Sequence, residues 1–326
     1  MLQSFKLSRR IARLRALVPA VLLVALVACD KGGAFTPENS MTPQDADQGP
    51  LLADEEAAAE VIQVADAAPA SASFAGGIPI GIAQQPVTYF GSRYNGSKMT
   101  TSPNSVRSEL SAIKSRGGKV VLMLVGSEEY FKTAGGNFDF GKWKARVDRF
   151  KNVDFDSYIN DGTVIGHFLI DEPNDPFNWN GKPVSTSVLE EMGKYSKQLW
   201  PNMPTIVRVD PSYLRSDHRY IDAAWAQYLS RRGNANDYIR RVVSDAQKRG
   251  LGLVVGLNIL KGGTPNGTKM TASEIESWGS ALLSSTYPCA FISYTYGSYV
   301  TSGGLNNAMD ALRRKAENRS NRSCRG

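Results

Sequence analysis

The string Gly166-His167-Phe168-Leu169-Ile170-Asp171-Glu172-Pro173 runs an apolar segment into two adjacent acids and then a proline, which has no amide hydrogen for a sheet ladder. A carboxyl group kept protonated by burial can donate a proton, and a second that stays ionised can attack carbon or take a proton from water. Side chains alternate along a strand, so only one of Asp171 and Glu172 is expected to face the same way as Gly166, Phe168 and Ile170; the reading places Glu172 there. The other acids that follow apolar runs are Asp210, after Val207-Arg208-Val209, and Glu128 and Glu129, after Val125-Gly126-Ser127. Asp210 is the preferred partner of Glu172, although Asp210-Pro211-Ser212 also reads as a turn or helix cap. His167 and His218 stand far apart, and no Cys/His cluster, G-x-S-x-G elbow or glycine-rich phosphate loop accompanies them, so neither a metal nor a cofactor is expected.

Such acids are useful only if something rigid brings them together. Short runs rich in Val, Ile and Leu at residues 78–83, 120–125, 164–170, 205–209, 223–228, 253–259 and 290–296, with a further candidate at 87–94, alternate with helical patterns. That alternation predicts parallel strands joined by crossover helices. Start signals for the helices include Ser102-Pro103 and the pairs Ser187/Glu190 and Thr271/Glu274, each spaced as a capping box. Val188, Met192, Tyr195 and Leu199 form one core-facing stripe, and Ile239, Val242, Val243 and Ala246 another. Seven or eight such units between residues 76 and 326 match the α/β class and, within it, a (β/α)8 TIM barrel, which takes roughly 250 residues. In that fold the chemistry belongs at the carboxyl ends of the strands.

The Asp171-Glu172-Pro173 string and its neighbouring aromatics resemble the barrel glycoside hydrolases, many of which carry an acid/base glutamate after a mid-barrel strand in an Asn-Glu-Pro or Asp-Glu-Pro string. The resemblance implies that Glu172 is a general acid acting on a glycosidic oxygen, with Asp171 orienting it or binding a sugar hydroxyl. A second carboxylate is required, at about 5 Å for a nucleophile or about 6.5 to 9.5 Å for a base that activates water. The late-strand glutamate common in retaining members is missing: Leu257-Asn258-Ile259 offers an amide, and the last strand ends in Tyr294 and Tyr296. Trp179, Trp225, Gln227, Asn258, Tyr294, Tyr296 and Arg208 are the candidate substrate-binding residues, the aromatics as stacking faces and the others as hydrogen-bonding groups. Trp179 and Trp225 also read as core, and Trp143, Trp200 and Trp278 as packing residues in helical patterns. The substrate implied is a poly- or oligosaccharide. The rival readings are a non-catalytic carbohydrate-binding barrel on the cell surface and a protein-binding scaffold.

The amino terminus reads as an address. Lys6, Arg9, Arg10, Arg13 and Arg15 precede an apolar run from Ala16 to Val27, too short to span a bilayer, and the run ends Leu26-Val27-Ala28-Cys29. That ending resembles the lipobox of bacterial lipoproteins, which implies a signal peptide over residues 1–28, a lipidated Cys29 (a thioether diacylglyceryl and a palmitate-type acyl chain) and a barrel held at a membrane, facing the periplasm or the cell exterior. Residues 30–75 hold nine acids against Lys31 alone and little aromatic content, the composition of a disordered linker. Residues 76–317 are assigned to the barrel and 318–326 to a basic tail. The overall charge of +7 hides a barrel portion of +10, but its cations are scattered and interleave with no nucleic-acid motif, so no nucleic-acid partner is expected. Once Cys29 is acylated, Cys289 reads as a small buried hydrophobe, and a Cys289–Cys324 bridge is left open.

Overall fold

The computed structural model describes residues 76–325; the expected signal peptide, Cys29 and the acidic linker lie outside them. Eight parallel strands alternate with helices to form a (β/α)8 TIM barrel. The strands are β1 (Ile80–Ile82), β2 (Gly96–Thr100), β3 (Lys119–Met123), β4 (Val164–Asp171), β5 (Thr205–Arg208), β6 (Ala223–Tyr228), β7 (Gly252–Leu257) and β8 (Ala290–Ser293). They pair in the order β1-β8-β7-β6-β5-β4-β3-β2. The seam between β1 and β2 is closed in part by side chains: Asn95 Oδ1 accepts from the Ile80 amide at 2.9 Å, and the Ser97 hydroxyl donates to the Ile82 carbonyl at 2.7 Å. Glycine permits that approach, because a Cβ on Gly81 would stand 2.0 Å from the Gly96 carbonyl oxygen.

The helices are α1 (Val106–Ser115), α2 (Phe140–Asp148), α3 (Asp156–Asn160), α4 (Thr186–Leu199), α5 (Ala235–Lys248), α6 (Ala272–Leu283) and α7 (Gly303–Glu317). The Thr271/Glu274 capping box opens α6 as its spacing predicts. α4 is capped by Ser185 rather than Ser187, and Glu190 instead accepts the amides of Arg219 and Tyr220 at 3.0 and 3.2 Å. Ser102-Pro103 opens a turn whose Ser102 carbonyl accepts the Val106 amide at 3.0 Å, so α1 begins later than expected.

Hydropathy misplaces one strand. Residues 87–94 form a 3-10 turn at Val87–Tyr89 and a loop, and the second strand is Gly96–Thr100, with the sequence GSKMT. The apolar-run criterion fails there because Ser97 and Lys98, on opposite faces of the strand, are polar yet buried. His167 faces the helices: Nδ1 lies 2.8 Å from the Ser196 hydroxyl on α4 and the ring stacks near Trp143 on α2, while burial pushes its pKa down to about 3. It is a neutral packing residue. Cys289 and Cys324 are joined in a disulfide, Cα to Cα 5.2 Å, which ties the carboxyl-terminal segment to the start of β8.

Candidate active site

The decisive local feature is an irregularity in β4. Phe168 pairs with Ile206 of β5, but the next partners are Ile170 with Val207 and Asp171 with Arg208, so Leu169 is an extra residue. An inserted residue reverses the facing of everything after it. Asp171 therefore shares the inward face with Arg208, correcting the simple alternation that gave that place to Glu172. Glu172 leaves the strand with a φ of +34°, in the left-handed region uncommon for non-glycine residues. That conformation is held by its amide on the Arg208 carbonyl at 3.0 Å, and by the Asp175 amide at 2.9 Å and Trp179 Nε1 at 3.1 Å, both donating to its own carbonyl.

Both acids thus converge on one arginine. Arg208 Nε donates to Asp171 Oδ1, Nη1 donates to Gln227 Oε1 on β6, and Nη2 lies 3.4 Å from Glu172 Oε2. Burial works against the guanidinium charge, but the Asp171 and Glu172 carboxylates outweigh it and raise the Arg208 pKa. Beside Asp171 stands Glu128, in the turn after β3. Burial first, and then the Asp171 charge, push its carboxyl up to about 7, with Lys132 and Arg208 opposing. Glu128 Oε1 is buried without a hydrogen-bond partner, and Oε2 is 3.9 Å from Lys132 Nζ. Lys98 of β2 lies close enough to Asp171, Arg208 and Glu128 for their charges to act on it. Glu128 was visible in the sequence as a strand-end acid; Lys98 had no signal, since its strand went unrecognised.

The remaining expected site residues divide sharply. A cleft of about 260 Å3 opens beside Glu172, walled by Arg208, Asp210, Trp225, Gln227 and Tyr238 and rimmed by Phe177. Trp225 is buried inside the barrel, edge-on to Phe168 at 5.6 Å, and its Nε1 has no partner; Phe177, absent from the expected set, has its ring 95% exposed. Asp210 belongs to the structural alternative. It caps the 3-10 turn Pro211–Tyr213 and is ion-paired to Arg241 at 2.9 Å and Arg232 at 3.6 Å. Burial opposes its charge, but hydrogen bonds from Arg241 and Ser212 win and lower its pKa. Trp179 offers no stacking face: it is fully buried, packed on Phe131, and supports the Glu172 carbonyl from behind. Asn258 Oδ1 accepts the Lys261 amide at 3.1 Å, a turn role, and Tyr296 bonds Tyr89 through their hydroxyls at 3.2 Å. Tyr294 remains 39% exposed. A larger cleft of about 490 Å3 lies at the opposite end of the barrel, around Lys119, Val164, Pro204 and the disulfide, and among the described residues no Asp or Glu lines it. Among the described residues no three His, Cys, Asp or Glu side chains gather as a metal-binding set.

No family model matches this chain, and no curated protein matches its sequence. Solved structures do. The chain is similar to a putative alpha-L-fucosidase from Bacteroides thetaiotaomicron VPI-5482, with a TM-score of 0.51 and 12% identity over 78% of this chain and 99% of that one. It is similar also to ScGas2 in complex with compound 11, with a TM-score of 0.50 and 12% identity over 76% of this chain and 68% of that one. The likeness is one of fold. What the barrel does must be argued from its own mouth.

Proposed function

We propose that this barrel acts on a poly- or oligosaccharide as a glycoside hydrolase-like protein, lipid-anchored through Cys29 outside the cytoplasm. The observation that carries the reading is the gathering of Glu128, Asp171 and Glu172 around Arg208 at the carboxyl ends of β3 to β5, with Glu172 lining the adjoining cleft. An ion-paired carboxylate is equipped to attack carbon or accept a proton, not to donate one, so the proton-donor role expected of Glu172 passes to Glu128, whose carboxyl holds a proton up to about pH 7. Glu172 becomes the carboxylate that meets the saccharide, Arg208 and Gln227 hold it and Asp171 in place, and Phe177 supplies an apolar face to a sugar ring. Asp210, with two arginines on it, serves as a cap.

The test is hydrolysis and binding measured together across a panel of glycans. Glu172→Gln should lower turnover by about a hundredfold or more while leaving affinity within a few-fold, and Glu128→Gln should remove the limb of the pH profile near 7. Phe177→Ala should weaken binding about five- to tenfold without touching stability. A second reading is favoured by one observation: the mouth has no carboxylate on β7 or β8, where Asn258 and Tyr294 stand instead. A non-catalytic carbohydrate-binding barrel tolerates that gap, and glycan binding without hydrolysis in the wild type would establish it. Binding to no glycan would sink both and leave a protein-binding scaffold.

A further inference from the structure

The larger cleft, at the end of the barrel opposite the mouth, has no part in the chemistry above, and its lining is one-sided in charge. Three cations line it, Lys119 at the start of β3 and Arg322 and Arg325 in the carboxyl-terminal segment, and among the described residues no Asp or Glu does. Asp161, which lies in the chain between the lining residues Asn160 and Gly162, is engaged elsewhere: it pairs with Lys114 at 2.8 Å and accepts the Thr163 amide at 2.8 Å. Lys119 gives one of its three donors to the Gly162 carbonyl at 3.2 Å, and the Arg322 guanidinium stands over the Tyr287 ring at 4.1 Å. Among the described residues no carboxylate pairs with Lys119, Arg322 or Arg325. One wall is formed by residues 321–325, which the sequence marks only as a basic tail, and it is fixed in place. Cys324 is joined to Cys289 at the start of β8, and its carbonyl oxygen seats against Gly252 of β7, where a Cβ would stand 2.4 Å away. Just upstream, Arg319 gives Nη2 to the Pro288 carbonyl at 3.2 Å, while its buried Nε and Nη1 have no partner. Like charges held around one hollow without a counter-charge repel, and an anion in the hollow relieves that repulsion.

We propose that this cleft binds the phosphate ester of a small polyol, with the phosphate held by Lys119, Arg322 and Arg325 and the hydroxyls met by the amides of Asn160, Asn202 and Asn321. A guanidinium fork matches two oxygens of a phosphate, and an ammonium adds a point charge that needs no fixed direction. A doubly charged phosphate suits three cations better than a single carboxylate does, and a neutral sugar would leave them uncompensated. The volume is within the usual range of small-molecule sites, about 300 to 1,000 Å3. Two sources present this chemistry, a free ester and the glycerophosphate headgroup of an anionic phospholipid. Pro79, the residue before β1, belongs to the same lining, so the chain enters the barrel at this end. The disulfide sets the wall that carries both arginines, and opening it should weaken the site. No covalent step is involved. The proposal stands apart from glycoside hydrolysis, whose residues are at the other end of the strands, and it is read without any glycan.

The experiment is calorimetric titration of the full chain with glycerol phosphate at low salt, paired with flotation on vesicles of phosphatidylglycerol and of phosphatidylcholine. The expected result is saturable binding of glycerol phosphate that weakens at least about tenfold in Arg322→Gln and in Lys119→Met, with the fold of each variant checked by circular dichroism. Replacing both Cys289 and Cys324 by Ser should weaken it as much by freeing the wall; Arg322→Gln, at an exposed side chain, keeps the test sound if that double variant does not fold. Glutarate, a dicarboxylate of similar length, should bind at least about tenfold more weakly than glycerol phosphate. Retention on phosphatidylglycerol beyond phosphatidylcholine that free glycerol phosphate displaces assigns the headgroup as the source, and glycerol phosphate binding without such retention assigns a free ester. Retention that glycerol phosphate fails to displace would overturn the headgroup as the source. No saturable binding of glycerol phosphate, binding undiminished in Arg322→Gln and Lys119→Met, or equal affinity for glutarate would overturn the proposal.

Discussion

The two halves of the barrel mouth are built to different rules. On the side of β3 to β6, Glu128, Asp171, Glu172, Arg208 and Gln227 form one connected set of charges and amides, reached through an extra residue in β4 and a left-handed glutamate. On the side of β7 and β8, Asn258 and Tyr294 bridge through their backbones, the Asn258 side chain closes a turn, and no charge faces in. The charged half is reached through two departures from regular strand geometry, both in or just after β4. Irregular backbone is costly, and it is found where it re-aims a side chain. A saccharide in this mouth would meet carboxylates from one side only.

That contrast is breakable. The largest effect is expected from Arg208→Met, which strands Asp171 and Glu172 in a half-buried site without their counter-charge and should cost about 3 to 5 kcal/mol, read from the urea midpoint. Next comes Glu128. Its pKa rises from 4.5 to about 7 on folding, so the folded chain holds that proton more tightly than the unfolded one. The stability this contributes is complete below pH 4.5 and is lost as pH climbs through about 7, a fall of about 3 kcal/mol that Glu128→Gln should abolish. Asp210→Asn keeps the cap but removes the charge paired with Arg241 and Arg232, for a cost of about 1 kcal/mol, with glycan turnover reduced far less than in Glu172→Gln. The smallest change belongs to the uncharged half: Asn258→Ala should shift stability by about 0.5 kcal/mol and leave the pH profile as it was. An Asn258 variant that instead altered turnover as strongly as the Glu172 one would erase the distinction between the halves.

Much of the frame was legible in one dimension because hydropathy reports burial. Seven of the eight strands, the Thr271/Glu274 box and the packing role of Trp143 follow from period and spacing. β2 escaped because Ser97 and Lys98 are buried yet polar, and the Asp171/Glu172 pair was read with the wrong facing because an inserted residue leaves no mark in a run of Phe, Leu and Ile. Trp179 looked like a ligand platform for the reason that misleads in loops generally: an aromatic among Gly and Asn is stripped of local context, and only the fold shows that Phe131 and Phe138 close over it.

By itself the amino-acid sequence determined the alternation of elements, the barrel that its strand count and length require, and which short strings carry acids at strand ends. These are local or periodic properties, written in neighbouring residues. Which acids meet, which is neutralised by arginines and which loses its solvent were decided only when strands far apart in the chain were set side by side. Charge acts over a few ångströms in space, and the sequence does not encode that distance in any residue's immediate neighbours.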